Sequence, residues 1–132
     1  METILEAIKV VFVESANGPK GAGEAFKKLE SRLPSLKGRK FYGTLHYPNG
    51  SYRACLALEA EDDPDLLGLE TWITPGGKYA REKIENWSEH LGEIPQVFSA
   101  LSQTYQGRVD PDRPRIEFYK SQKELLLLLP IQ

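Results

Sequence analysis

Five consecutive leucines, Leu125 to Leu129, followed at once by Pro130, constrain this chain more than any other stretch of it. A strand with one wet face alternates apolar and polar residues. An unbroken apolar run leaves no polar face, so it predicts a strand covered on both sides. The segment just before it, RPRIEFY, does alternate: Ile116 and Phe118 point one way, Glu117 and Tyr119 the other. A carboxylate and a tyrosine thus stand on what should be a covered face. That face is either open to water or lines a cavity, and the leucines next door favour the cavity.

The rest of the chain supplies partners for this hairpin. Residues 8–15, IKVVFVES, alternate as a first strand. In PKGAGEAFKKLESRLPSL, residues Ala22, Ala25, Phe26, Leu29 and Leu33 fall three and four apart, which predicts a helix with one buried stripe, stopped by Pro34. KFYGTLHY and SYRACLALEA flank the turn Pro48-Asn49-Gly50. The unit reads βαββ, and the acidic, turn-rich EAEDDPDLLG connects it to a second. LETWITPGGKYAREKIENW breaks at Pro75-Gly76-Gly77 before a second helix and the final hairpin. Pro95 is tolerated only in a helix's first turn, so that helix starts near Glu93 or Ile94, with Val97, Phe98, Leu101 and Tyr105 as its stripe. Residues 86–92 then form a loop that carries Trp87 and His90 to one end of the sheet.

A shift of 72 residues lays Phe26 on Phe98, Leu29 on Leu101, Tyr47 on Tyr119 and Leu56 on Leu128, and the order of elements repeats. The expected fold is α+β: one domain of two βαββ units related by a pseudo-twofold axis, with antiparallel sheets, two helices on one face and a ligand groove between the halves. Repeat one covers about residues 6–60, the connector about 61–70 and repeat two about 71–131.

Composition narrows the function. The net charge of −2 comes with no basic stripe of the kind a nucleic-acid surface needs. KKLESRLPSLKGRK, the nearest candidate, is interrupted by leucines and Glu30 and reads as a solvated helix face. METILEAIKVVFV carries acidic residues where a signal peptide needs basic ones, and no stretch reaches the ~20 apolar residues that span a bilayer, so a cytoplasmic protein without membrane contact is expected. Cys55, alone in an apolar run, reads as a small buried hydrophobe. His46 and His90 have no companions at metal-ligand spacing, and NGPKGAG lacks the lysine-serine ending of a phosphate loop. Neither a metal nor a cofactor is expected.

The candidate site lies on the Glu117 and Tyr119 face, with Leu45 and Tyr47 at the matching positions of the first repeat. With the helices on one face, the opposite faces of the two halves would meet around a groove. Trp72, Tyr79 and Trp87, from the second half's entry strand and loops, would wall it. Rings around a carboxylate suit a cationic or polarised aromatic guest. The plainer account is that these rings pack as ordinary strand residues and that Glu117 is solvated.

The string P-R-I-E-F-Y before an apolar strand ending L-P-I, the Pro-Gly-Gly-Lys-Tyr-Ala at 75–80, and the His-Leu-Gly loop before the second helix together resemble the GyrI-like small-molecule-binding domain family. These are the effector-binding domains of AraC- and MerR-type regulators, related to the SOUL haem-binding fold, and the likeness runs from about Glu6 to Ile131. It implies a duplicated βαββ fold binding hydrophobic, often cationic or planar, drug-like xenobiotics in a groove of aromatics with an acidic residue, with Glu117 and Tyr119 matching the family's P-x-x-E-x-Y segment. One subfamily hydrolyses cyclopropane-bearing DNA-alkylating compounds. If this chain does so, the resemblance makes Glu117 the water-activating base and Tyr119 the hydroxyl that stabilises developing charge. Many members carry a second glutamate in the last strand, where this chain has Leu126 and Leu128. That departure implies a pocket for more neutral, apolar guests. With only five or so residues ahead of the domain, a stand-alone binder without direct contact to nucleic acid is expected. A hydrolase is the alternative, and an inhibitor acting on a protein partner, as a gyrase inhibitor would, is a third.

Overall fold

The structure, a computed structural model, describes residues 1–46 and 49–132. Its strands are β1 (Glu2–Leu5), β2 (Lys9–Glu14), β3 (Phe41–Leu45), β4 (Tyr52–Ala57), β5 (Glu70–Ile73), β6 (Gly77–Glu85), β7 (Arg115–Tyr119) and β8 (Glu124–Pro130). Helix α1 (Ala22–Glu30) joins β2 to β3, α2 (Pro64–Leu67) lies between β4 and β5, and α3 (Ile94–Thr104) lies between β6 and β7. The strands make one antiparallel sheet in the order β1-β6-β8-β7-β3-β4-β2-β5, so the α+β architecture is as expected. The order has the same form from either end, an edge strand and then the first, last and middle strands of a βαββ unit. α3 begins at 94 where α1 begins at 22, and β8 at 124 where β4 begins at 52, the spacing read in the sequence.

Strand β1 and helix α2 are additions to the sequence reading. From sequence the first unit starts at about residue 6 and the connector is acidic and turn-rich. Four half-exposed residues carry little apolar signal; β1 exists because β6 offers it a ladder, Glu2 to Ala80 through Leu5 to Gly77. The α2 turn is started by Asp63, whose side chain accepts the Asp65 N–H at 3.0 Å, with Pro64 next.

β1 runs on into β2 and β5 into β6, and these two segments pair with each other on both sides of a break, Leu5 with Gly77 and Lys9 with Ile73. The two edges of the sheet are therefore built by the same two pieces of chain, and the sheet curls. At the break Thr74, 4% exposed, donates its N–H to the Ile8 carbonyl at 2.9 Å and accepts the Ile8 N–H on Oγ1 at 3.1 Å. Gly76 permits this approach, because a Cβ there would sit 2.9 Å from the Leu5 oxygen and the Ala7 nitrogen.

Val10, Phe12, Tyr42, Cys55, Tyr79, Ile116 and Leu128 form one core inside the curl. On the other face Val11, Val13, Ala54 and Leu56 pack against Ala25 and Leu29 of α1. Ala80, Leu125, Leu127 and Leu129 pack against Phe98 and Leu101 of α3. The leucine run thus divides between two dry faces, with Leu126 only half-buried. Each fully buried leucine is worth about 1.5–3 kcal/mol. Pro95 falls in the first turn of α3, where its missing N–H leaves no intrahelical bond unmade. Cys55 is a free thiol within the core, pushed up to about 12 by burial. No helix among the described residues is long and apolar enough to cross a membrane.

Candidate functional site

The centre of the sheet is the junction of β3 and β7, where Gly43 pairs with Glu117 and Phe41 with Tyr119. Gly43 has no side chain, and the space is taken by Tyr52 from β4. A Cβ on Gly43 would lie 1.9 Å from the Tyr52 hydroxyl oxygen and 2.7 Å from Glu117 Oε1. Through that gap Tyr52 donates its hydroxyl to Glu117 Oε1 at 2.7 Å, and Tyr119 donates to the same oxygen at 2.7 Å. Oε2 makes no hydrogen bond to a described residue. Burial pushes the Glu117 carboxyl above its ordinary value, and the two phenols that bond its charged form oppose the shift. Burial and the adjacent carboxylate hold both phenols far above the usual tyrosine range, so they remain donors at any working pH.

An aromatic cluster stands over this triad. Phe26 of α1 meets Tyr119 edge-on with centroids 5.4 Å apart, and Tyr52 and Phe41 each at 6.4 Å. Trp87 meets Tyr119 from the other side at 5.0 Å. Two features aim the indole: Asn86 adopts the left-handed conformation (φ 51°) that asparagine tolerates, and the indole N–H donates to the Ser121 carbonyl at 3.0 Å. Between α1 and the turns that follow Trp87 opens a cavity of about 940 Å³, walled by Phe26, Phe41, Trp87 and Tyr119, with Leu36 and Leu91 at its lips. Glu117 is not among its lining residues. Tyr119 makes the connection, with its ring on the cavity and its hydroxyl on the carboxylate.

This places the groove on the opposite face from the one expected. The sheet face away from the helices curls onto itself and fills with core side chains; this cavity lies on the helix side, and a second hollow of about 540 Å³ opens at the β5 edge beside Phe12, Arg53 and Trp72. Of the residues anticipated from sequence, Glu117, Tyr119 and Trp87 come together here. Leu45 shares Glu117's face but does not line the cavity. Trp72 belongs elsewhere: it lies at the β5 edge against Phe12, with the Arg53 guanidinium 4.8 Å from its ring and His46 at 5.2 Å. Tyr79 is fully buried inside the curl, its hydroxyl donating to the Pro75 carbonyl at 2.7 Å. Tyr47 lies outside the described residues.

Tyr52, Phe26, Phe41 and Gly43 were not anticipated as site residues. Tyr52 was accessible to parity, since it shares a face with Ala54 and Leu56 that packs toward α1. Phe26 reads from its helical spacing as ordinary core, and only the space between the helices gives it a second role.

No family model and no curated protein matches the chain. Solved structures do. SAV2435, bound to tetraphenylphosphonium, superposes with a TM-score of 0.66 at 12% identity, over 100% of this chain and 93% of that one. The integron cassette protein VCH_CASS2 from the mobile metagenome of Vibrio cholerae gives 0.70 at 16% identity, over 100% and 95%. A protein described as a hydrolase from Listeria innocua gives 0.62 at 12% identity, over 100% and 91%. At such identities the likeness is one of fold: this chain has the fold of a set of small bacterial proteins, one of which was captured with a bulky hydrophobic cation.

Proposed function

We propose that the chain binds hydrophobic, aromatic small molecules in the cavity between α1 and Trp87, as the GyrI-like resemblance implies for a xenobiotic-binding domain. One observation carries this reading: five aromatic residues line an open cavity of about 940 Å³, and one of them, Tyr119, is also one of the two phenols that hold the Glu117 carboxylate. Ligand sites are mostly apolar with a few fixed polar groups, and this cavity has that composition. Rings meeting edge-on leave faces free to stack on a guest, and the field of Glu117 reaches the guest through Tyr119. The neighbour that binds tetraphenylphosphonium supports a guest of this size and hydrophobicity.

The test is a titration of intrinsic fluorescence with tetraphenylphosphonium and with neutral phenylnaphthylamine. Trp87 emission is expected to quench on binding, and Trp87→Ala to weaken affinity roughly tenfold by removing one stacking wall. Because Trp72 is remote from the cavity, Trp87→Phe should abolish the quench while keeping most of the affinity. Quenching that survives Trp87→Phe unchanged would move the ligand to another surface and end this reading.

A second reading, hydrolysis of strained electrophiles such as cyclopropane-bearing alkylators, draws on the same triad. A partly buried carboxyl raised above its ordinary value and aligned by two hydroxyls has the form of a general base. The Listeria innocua neighbour described as a hydrolase adds to it. Against it, Glu117 does not line the cavity, and the group that a guest there would meet is Tyr119, whose hydroxyl is bonded to the carboxylate. Mass spectrometry separates the two: a compound gaining one water with the native protein and not with Glu117→Gln is hydrolysis, and intact compound recovered from both is binding alone.

A further inference from the structure

The mouth of the cavity carries a charge pattern that neither reading uses. Phe41 and Tyr119 are paired across β3 and β7. Lys40 and Lys120 are the next residues outward from that pair, and both line the cavity. Like charges opposite one another on neighbouring strands repel and are costly to keep without a partner. Arg39, also at the mouth, is committed elsewhere, its guanidinium donating to both Asp62 oxygens at 3.1 and 2.6 Å. Lys40 has no ion pair among the described residues, Lys120 pairs at the surface with Glu124 at 3.7 Å, and Glu30 of α1 is the one acidic residue of the cavity's lining. Beside the pair lie Ser121 and Gln122, while the exposed Leu36 and Leu91 form an apolar lip.

We infer that the guest is an aromatic anion, with its rings among Phe26, Trp87 and Tyr119 and a carboxylate or sulfonate held between Lys40 and Lys120. This deepens the proposed small-molecule site and rests on it. A single negative group between two ammonium groups satisfies both and removes their repulsion. An apolar body entering past the two leucines leaves that group at the water-facing rim, where a charge keeps most of its hydration. Glu117, set below Tyr119 at the far end, disfavours burying the anion deeper, and so fixes the direction in which the guest enters.

Two fluorescent probes with the same ring system test it: anilinonaphthalene sulfonate, which is anionic, and phenylnaphthylamine, which is neutral. The double substitution Lys40→Gln/Lys120→Gln changes two exposed side chains, and unfolding temperatures of both proteins verify that the fold is unaffected. The expected result is roughly tenfold weaker binding of the sulfonate with the neutral probe unchanged, and native sulfonate binding that weakens with added salt. Equal losses for both probes, or none for the sulfonate, would overturn the anion site and leave the cavity reading standing. Failure of the native protein to bind either probe would overturn both.

Discussion

Gly43→Ala is expected to lower the unfolding free energy by about 3 kcal/mol, an effect out of proportion to one methyl group. A new Cβ would fall 1.9 Å from the Tyr52 hydroxyl and 2.7 Å from its ring carbon, distances that no pair of atoms sustains. Tyr52 cannot retreat, because it is 1% exposed and its ring packs against Phe26. Something must shift, and a shift of either group strains the hydrogen bond to Glu117, so that a partly buried carboxylate loses one of its two donors. Overpacking contributes about 1–3 kcal/mol, and a lost hydrogen bond to a charged group about 1.5–3, the two overlapping in part. The informative control is Gly43→Ala/Tyr52→Phe, which removes the clashing oxygen. Chemical denaturation of the two single variants and the double should show the pair coupled: the double variant is expected to be more stable than the sum of the singles implies. Strict additivity would mean that Gly43 is not there to admit the tyrosine hydroxyl.

How far the sequence led to this triad follows from what each signal measures. The leucine run and the alternation around Glu117 report burial on two faces, and burial is a property of the strand itself. For that reason the fold class, the start of α3 just before Pro95 and the common face of Glu117 and Tyr119 were legible. Which face carried the groove was not. That depends on the curl of the sheet, which is set by β1 and β5 pairing with partners far along the chain, at positions where four-residue strands have almost no apolar signature. For the same reason Trp72 and Tyr79, expected to wall a groove, do not line this cavity. Both are aromatic and close in sequence to its expected wall, but the curl turns them toward its interior or its edge. The role of Gly43 was hidden for another reason. A glycine opposite a glutamate means nothing until a third strand is known to send a tyrosine across the gap.

Glu117→Gln is expected to stabilise the protein at neutral pH while weakening any function that needs the charge. The sign follows from the direction of its titration. The carboxyl's folded value is raised above the ordinary 4.5, so between the two values the folded state binds more protons than the unfolded one, and stability falls as pH rises. Below the ordinary value the carboxyl is neutral in both states and imposes no penalty; above the folded value the penalty is complete. Glutamine occupies the same volume, its carbonyl accepts both tyrosine hydroxyls, and it has no charge to desolvate. The unfolding temperature of Glu117→Gln should therefore match the native protein near about pH 4 and exceed it by a few degrees at about pH 7, the difference opening as pH rises and then levelling off. A native protein that gains on the variant as pH rises would mean that the two tyrosines hold the carboxylate below its ordinary value, with hydrogen bonding outweighing burial. A gap that opens as expected would identify a residue whose charge the fold keeps at a loss. Stability given up beside an aromatic cavity accords with the proposed binding site, because a merely structural network would be served as well by the amide without that loss.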